Sequence, residues 1–532
     1  MSANDERARD EACEVAIIGA GPSGLAAAAV LREHGVGVTL IDEQSRAGGQ
    51  ILRQPPKSFS VAHWLPGKLY DGVKSALHAV SERQDIDWRF QSTVLGIMRP
   101  SPYRIQRGGV NGGPRTQPAS TGSSVQQHDG VAGSEARLGG GAHELWIQGS
   151  AGCYLLRART VLLAPGCYER PLAFPGWMLP GVMGAGAIQG FVKSQQFVPG
   201  NRFVLAGSHP LQLIVAGQLL STGAKVGAVV FTQRMQQAWL MLRQPLVALR
   251  HHRQILEISH ILRRLRRAGV PVIFGHTIVR AEGNAVVERA MMAAVDPNGT
   301  IDRHRTQVFE CDCIGICHGF LTSSELARQA GAETDWNDRA GGWLTRHDDW
   351  LESSIRNLFV AGEITSVDGA DAALEKGRIA AVGILRSLGR LDDNQAHRLA
   401  SASRKRLSHL QSFAAILQQL AQPPASLALQ TMSDDTILCR CESIQRGELQ
   451  RALAQNKHIL SADEAKLLTR VGMGLCQGRL CGDNVARVIA AARNLQLHEV
   501  GSFQAQAPVR PVPLTASMAY GRDADAVSPR TG

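Results

Sequence analysis

Residues 14–42 read EVAIIGAGPSGLAAAAVLREHGVGVTLID. A short apolar run, EVAII at 14–18, leads into a glycine turn. An alanine-rich stretch then reaches about His34, and a second apolar run, GVTLI, stops at Asp42. Apolar runs of this length bounded by turn residues are strands, and the stretch between them is helical. The segment therefore predicts the opening β-α-β unit of a Rossmann fold. Its turn, Gly19-Ala20-Gly21-Pro22-Ser23-Gly24, fits G-x-G-x-x-G. Gly19 permits the tight turn, Gly21 lets a pyrophosphate approach the backbone, and Gly24 lets helix and strand pack closely. The pyrophosphate would sit on the helix N-terminus. Asp42, with Glu43 beside it, places a carboxylate where it can accept from ribose hydroxyls.

The rest of the chain repeats this grammar. RARTVLLAPG at 157–166 is another buried strand, and RFVLAGSHPLQLIVAGQLLSTGAKVGAVVF at 202–231 is a second strand–turn–helix–strand unit. NLFVAGEITSVDGADAALEKGRIAAVGILRSLG at 357–389 is a late strand, turn and helix. Between Gln106 and Gly141 the chain turns rich in Gly, Ser, Thr and Gln, too polar to bury a core, and reads as a flexible insertion between two strands. With 532 residues, roughly two to four domains are expected. The fold class is α/β, with two interleaved Rossmann-like dinucleotide-binding domains of the glutathione-reductase type and a small C-terminal α-helical domain. The first domain spans 11–175 and 336–395, with the insertion at 106–141, and the second spans 176–335. A helical connector at 396–430, a cysteine module at 432–495 and an extended, proline-rich tail at 496–532 complete the chain.

The second turn is degenerate. It reads Gly207-Ser208-His209-Pro210-Leu211-Gln212, with His209 and Gln212 where glycines belong, and the strand after it ends without a carboxylate. A side chain at the second position blocks a pyrophosphate, so this domain is expected to keep the fold and to bind NAD(P)H poorly. His209 itself reads as structural or solvent-facing.

Two cysteine pairs stand out: Cys439 and Cys441 in LCRCES, and Cys476 and Cys481 in GMGLCQGRLCG. Four thiolates in two tight pairs suit an iron–sulfur cluster or a zinc ion. Structural zinc sites favour C-x2-4-C pairs, which C-x-C fits less well. The glycines beside Cys476 and Cys481 free backbone amides for the sulfurs, and Lys466 and Arg470 could offset cluster charge. Cys311, Cys313 and Cys317, in CDCIGIC, lie in an apolar strand and read instead as core thiols sharing one face.

Composition excludes several classes. Hydrophobic residues make up 44% and charged residues 19%, as in ordinary globular proteins. No apolar run is long enough to span a membrane, and MSANDERARDEACE lacks the apolar centre of a secretory signal. The formal charge of +11 comes with no nucleic-acid motif. The densest basic stretch, with Arg263, Arg264, Arg266 and Arg267, reads as a solvated helix end, with a membrane or partner patch as the alternative.

On these motifs the chain resembles a family. GAGPSGLAAA, IDEQSRAGGQILR, YERPLAFPGW, LFVAGEITSVDGADAALEKGRIAA and TRVGMGLCQGRLCG are similar to the flavin subunit of opine oxidases, hydrogen cyanide synthase and D-hydroxyproline or proline dehydrogenase complexes, and more distantly to the large subunit of sarcosine oxidase. The cysteine module resembles that of bacterioferritin-associated ferredoxins, which carries a 2Fe–2S cluster. The resemblance implies FAD held by Gly19, Gly21, Gly24, Asp42, Glu43, Gly48, Gly49, Gln50, Gly362 and Glu363, although a nucleotide such as ATP stays open for this site. At Gly362-Glu363 the family usually has Gly-Asp, so the extra methylene puts the reach of Glu363 in question. The resemblance also places Tyr168, Glu169 and Arg170 near the flavin ring, where a surface salt bridge is the other reading of Glu169 and Arg170. It assigns Cys439, Cys441, Cys476 and Cys481 to the cluster and leaves room for an FMN at a subunit interface.

The implied function is a cytoplasmic subunit of an amine or amino-acid dehydrogenase or oxidase complex acting on opines, D-hydroxyproline, proline or glycine. Its partners would be a second flavoprotein subunit of the amino-acid-oxidase type, a respiratory electron acceptor and a small ferredoxin-like subunit, with peripheral attachment to the inner face of the membrane and no nucleic acid. No residue of this chain announces itself as the amine-site base, as expected if the substrate is oxidised in the partner. The alternatives are a stand-alone NAD(P)H-dependent flavin oxidoreductase and a non-catalytic zinc-containing scaffold.

Overall fold

A computed structural model describes residues 11–56, 58–59, 71–81, 83–98, 142–234 and 252–517. The expected insertion at 106–141 and the end of the tail lie outside the described residues.

The opening strand, Glu11–Ile18, is at the centre of the first sheet, parallel to Val38–Ile41 on one side and to Gly152–Leu163 on the other. Ile86–Arg89 extends the parallel edge. Gly152–Leu163 is long enough to serve two partners on its far side. Its end pairs parallel with Leu358–Val360 and its beginning pairs antiparallel with His143–Gly149, which in turn pairs with Thr93–Met98. Val15, Ala16 and Ile17 are fully buried, as expected of a strand covered on both faces. The turn helix, Pro22–Glu33, packs so tightly on helix Ala370–Ser387 that a Cβ on Gly377 would lie 2.1 Å from the Ser23 carbonyl oxygen.

The second sheet is five parallel strands in the order Val272–Phe274, Lys225–Phe231, Arg202–Gly207, Cys313–Cys317 and Val182–Gly184. The three core thiols do not all share a face. Cys313 and Cys317 face one core with Phe203 and Leu205, whereas Cys311 precedes the strand and packs into another with Ile314 and Phe174. A short ladder, Cys167–Glu169 against Phe320–Thr322, lies where the chain crosses between the two domains.

Helix Asp393–Ala421 opens with a capping box, in which Asp392 accepts from the Gln395 amide and the Gln395 side chain accepts from the Asp392 amide. The cysteine module follows, with helices Arg446–Gln455, Ala462–Thr469 and Gly482–Arg493. Its core (Leu438, Leu449, Val485, Ile489) is continuous with Leu172, Phe174 and Trp177 of the nucleotide-domain crossover, and Trp177 Nε1 donates to Ile437 O at 2.7 Å. The module is thus an extension of the main body. Helix His252–Arg267 carries Arg263, Arg264, Arg266 and Arg267 on its exposed side around buried Leu265.

The expected extended tail begins with a short helix, Leu497–Val500. From Gly501 to Pro513 it has no regular structure and is fastened down, and residues 514–517 are helical again. Phe503 covers Gly472 and Gly478, Arg479 donates to Val509 O at 2.9 Å, and the Val509 amide donates to Leu95 O at 2.8 Å.

Candidate functional site

The first glycine turn is built tightly at two positions and openly at one. A Cβ on Gly19, whose φ is +108°, would meet Ala164 O at 2.3 Å, and one on Gly24 would meet Gly19 O at 1.9 Å. At Gly21 the nearest atom would be 3.9 Å away, on Gly49. Gly21 therefore faces space, and that space is a cleft lined by Gly19, Gly21, Asp42, Glu43, Gly49, Gln50, Gly362 and Glu363. Gly24 and Gly48 stand behind this wall and shape it, the Gly48 amide donating to Ala20 O at 2.8 Å. No described residue accepts from the Ser23 or Gly24 amides, and the buried Ser23 hydroxyl also lacks a partner. Free donors at a helix N-terminus around a glycine that leaves room fit a nucleotide pyrophosphate.

Asp42 is held in place by its own turn. Its two carboxylate oxygens accept from the Ala20 amide at 2.6 Å and the Gln44 amide at 2.7 Å, and burial pushes its carboxyl up. Gln50 donates to Cys167 O at 3.0 Å, tying the Gly48-Gly49 turn to the domain crossing. Glu363 lines the cleft with one carboxylate oxygen 2.8 Å from the Cys167 sulfur, the thiol donating, and burial holds its carboxyl above the usual range.

Glu169 reaches the same cleft, with Oε1 accepting from the Gly186 amide at 2.7 Å. Burial pushes its carboxyl up to about 7. An acid whose folded-state value is raised holds its proton more tightly in the native state, so its presence costs stability progressively as pH rises from about 4.5 to about 7. Glu169→Gln should flatten the loss of thermal stability of the flavin-free protein across that window, as measured by melting at a series of pH values. An unchanged profile would remove Glu169 as its source.

Arg170, by contrast, turns away from this cleft. It is buried against Asp338 at 2.9 Å, Asp338 also holds Arg487 at 2.8 Å, and Arg487 holds Asp483 at 3.0 Å. Asp483 and Arg487 stand on the helix that starts beside Cys481, so this ion network binds the cysteine module to the crossover. Arg170 is therefore no surface salt bridge.

The second glycine turn is closed. The Ser208 and His209 amides both donate to Cys317 O, at 2.8 and 3.0 Å, and Pro210 has no amide hydrogen. The Leu211 amide is taken by His209 Nδ1 at 3.2 Å. Gln233, two residues past the end of the following strand, donates to Ser208 O and Leu420 O. The amides that stand free in the first turn are thus consumed in the second, and His209 is a half-buried imidazole held far down, to about 4, by desolvation.

In the cysteine module the four free thiols lie together. Cys481 stands within hydrogen-bonding reach of Cys439 and Cys476, and Cys476 within reach of Cys441. Among the described residues no group of three or more His, Cys, Asp or Glu side chains is gathered as a metal-ion site. The Cys481 thiol, followed by backbone amides including those of Gly472 and Gly478, holds Cys439 at about 6 and Cys476 at about 5, so both favour the thiolate that ligates a metal. Gly474 lies against Cys441, where a Cβ would sit 2.0 Å from the cysteine Cβ. Arg470 is engaged by Glu442 at 3.0 Å, so its charge is answered one residue from Cys441.

One residue the sequence reading passed over joins the two centres. Arg479, between Cys476 and Cys481, lies in the wall of the nucleotide cleft and pairs with buried Glu325 at 3.3 Å. Arg510 of the tail lines the same cleft and faces Glu43 at 3.8 Å. Arg479 lies within TRVGMGLCQGRLCG, where the cysteines and not the arginine draw the reading, and Arg510 lies in no motif.

This arrangement defines a two-domain nucleotide-binding oxidoreductase with a thiolate cage against its cleft. The chain matches the pyridine nucleotide-disulphide oxidoreductase family over residues 13–377 and belongs to it, and residues 437–491 match the BFD-like [2Fe-2S] binding domain. The first implies FAD and the second a 2Fe–2S cluster, and the residues present fit both groups. The HcnB subunit of hydrogen cyanide synthase from Pseudomonas protegens is 29% identical over 94% of this chain and 96% of its own length. An opine oxidase subunit from Rhizobium meliloti is 29% identical over 96% of this chain and 98% of its own. The crystal structure of L-proline dehydrogenase from P. horikoshii shares the fold, with a TM-score of 0.61 at 18% identity over 95% of this chain and 79% of that one.

Proposed function

We propose that this chain is the FAD- and 2Fe–2S-carrying subunit of a complex that oxidises an amine or amino acid, of the opine, D-hydroxyproline, proline or glycine type. It passes electrons from a partner flavoprotein subunit to an acceptor. The observation that carries this reading is Arg479, which lies between two cluster thiols and in the wall of the flavin cleft, so the two centres abut. Bound FAD and cluster supply the electron transfer. The chain's own residues do the rest: the first glycine turn cradles the pyrophosphate, Asp42 holds a ribose, and the four cysteines hold the iron. The kinship with subunits of a hydrogen cyanide synthase and an opine oxidase supports a role within a complex. An FMN between subunits and attachment to the inner face of the membrane belong to the same proposal. Among the described residues no helix is long and apolar enough to cross a membrane.

The cluster end offers a surface for a partner. Cys441 is exposed, and Leu475 (76%), Leu467 (78%) and Met473 are exposed around the cysteine loops. Clustered exposed apolar side chains mark contact sites. The consumed amides of the second turn argue against NAD(P)H as the electron source. Anaerobic addition of NADH to the purified protein should leave the flavin absorption unbleached. Rapid bleaching would instead favour the stand-alone reductase.

A further inference from the structure

A second cavity of about 370 Å³ opens beside the flavin cleft and shares Leu211, Phe320 and Glu363 with it. It lies within the range of small-molecule sites. One wall is the long helix Asp393–Ala421, through Phe413, Ala414 and Leu417, and the opposite wall is Ile214 and Ile258.

The polar groups of this cavity are almost all answered by protein. Arg170 pairs with Asp338, Asp368 pairs with Lys376 at 2.7 Å, Arg339 donates to Gln422 at 2.6 Å, and Glu363 accepts from Cys167. Asp371 is also engaged. Glu257 makes no ion pair among the described residues, and burial pushes its carboxyl up. His318 lies 3% exposed at the wall with both ring nitrogens unpartnered, and burial keeps it uncharged. His209, whose Nδ1 accepts from the Leu211 amide, carries its hydrogen on Nε2, and no described residue accepts it. Glu257 and Arg339 line the cavity without an ion pair among the described residues, but the walls of Phe413, Ala414, Leu417, Ile214 and Ile258 offer a charged group nothing to replace its water. A flat, uncharged ring with carbonyl acceptors would lose nothing on those walls and would find neutral imidazoles there.

We infer that this cavity binds a quinone as the electron acceptor of the flavin. The inference rests on the flavin and cluster reading above. The reaction balances without another reagent. The reduced flavin gives up two electrons and two protons and returns to its oxidised form, and the two quinone carbonyls become the hydroxyls of the quinol. Electrons would then enter through the exposed cluster edge and leave beside the second domain.

The test uses the full chain with flavin and cluster bound. Decylubiquinone is titrated by calorimetry, and an azido-quinone is photo-crosslinked and its labelled peptides mapped. The inference predicts saturable binding, label within residues 410–421 or 209–214, and binding weakened about tenfold or more by Ala414→Trp, which fills the cavity, with flavin and cluster spectra unchanged. Should Ala414→Trp not fold, the label map on the unaltered protein decides. No saturable binding, label elsewhere, or displacement of the quinone by a secondary amino acid such as proline would overturn it. A preparation that lacks flavin and cluster bands would overturn the underlying reading instead.

Discussion

Asp338→Ala should destabilise the protein by about 3–5 kcal/mol, the range for removing one partner of a buried ion pair. That is a large part of the ~5–15 kcal/mol by which domains are stable. The effect follows from what remains. Arg170, 7% exposed, loses the carboxylate at 2.9 Å and keeps only a backbone carbonyl, that of residue 338 itself. Arg487 keeps Asp483. Because the network spans the crossover and the cluster helix, the damage should reach both centres, and cluster and flavin should be lost together on heating. Denaturant unfolding followed at a flavin band and a cluster band checks this. Arg346→Ala is the control: its pairs with Glu333 and Asp335 are more than half exposed and screened by water, and it should leave stability nearly unchanged. Equal losses in the two variants would mean that the buried network contributes nothing special.

Gly24→Ala and Gly21→Ala should separate packing from binding. At Gly24 an added Cβ would lie 1.9 Å from Gly19 O, against backbone that cannot move aside cheaply. Overpacking of this kind costs about 1–3 kcal/mol, and the turn that cradles the pyrophosphate is distorted with it, so both apoprotein stability and flavin content should fall. At Gly21 a Cβ meets nothing closer than 3.9 Å, so the apoprotein should melt as before. The methyl group would, however, fill the space the pyrophosphate needs, and flavin should be lost. Melting temperature and flavin content of the two purified variants decide it. Full flavin content in Gly21→Ala would move the pyrophosphate elsewhere.

What was legible in the sequence was local. The first turn carries its meaning within six residues, and the structure gives Gly19 and Gly24 the steric roles the pattern implies. The degenerate second turn was legible for the same reason, though the mechanism goes beyond a blocking side chain, since Cys317 O consumes its amides. The four cysteines were legible as two pairs. What was not legible depends on distant contacts. Asp338 meets Arg487 across 149 residues, and nothing around either residue announces the other. Arg479 was visible only as a residue between two cysteines, and its reach into the flavin cleft is set by how the module packs on Trp177 and Phe174. The proline-rich composition of the tail points to an extended chain but not to the helix Leu497–Val500, and its anchoring on Leu95 and over the cluster glycines comes from tertiary packing alone. Cys311 departed from its expected face because the strand begins two residues later, at Cys313.

The central claim, a flavin and a 2Fe–2S cluster abutting in one chain, is tested most directly by the visible absorption spectrum of the purified protein before and after Cys476→Ser. The unaltered protein should show flavin peaks on a broad cluster band, and the variant should lose the band and keep the flavin. A colourless protein containing zinc, or a spectrum unchanged by the substitution, would contradict the account.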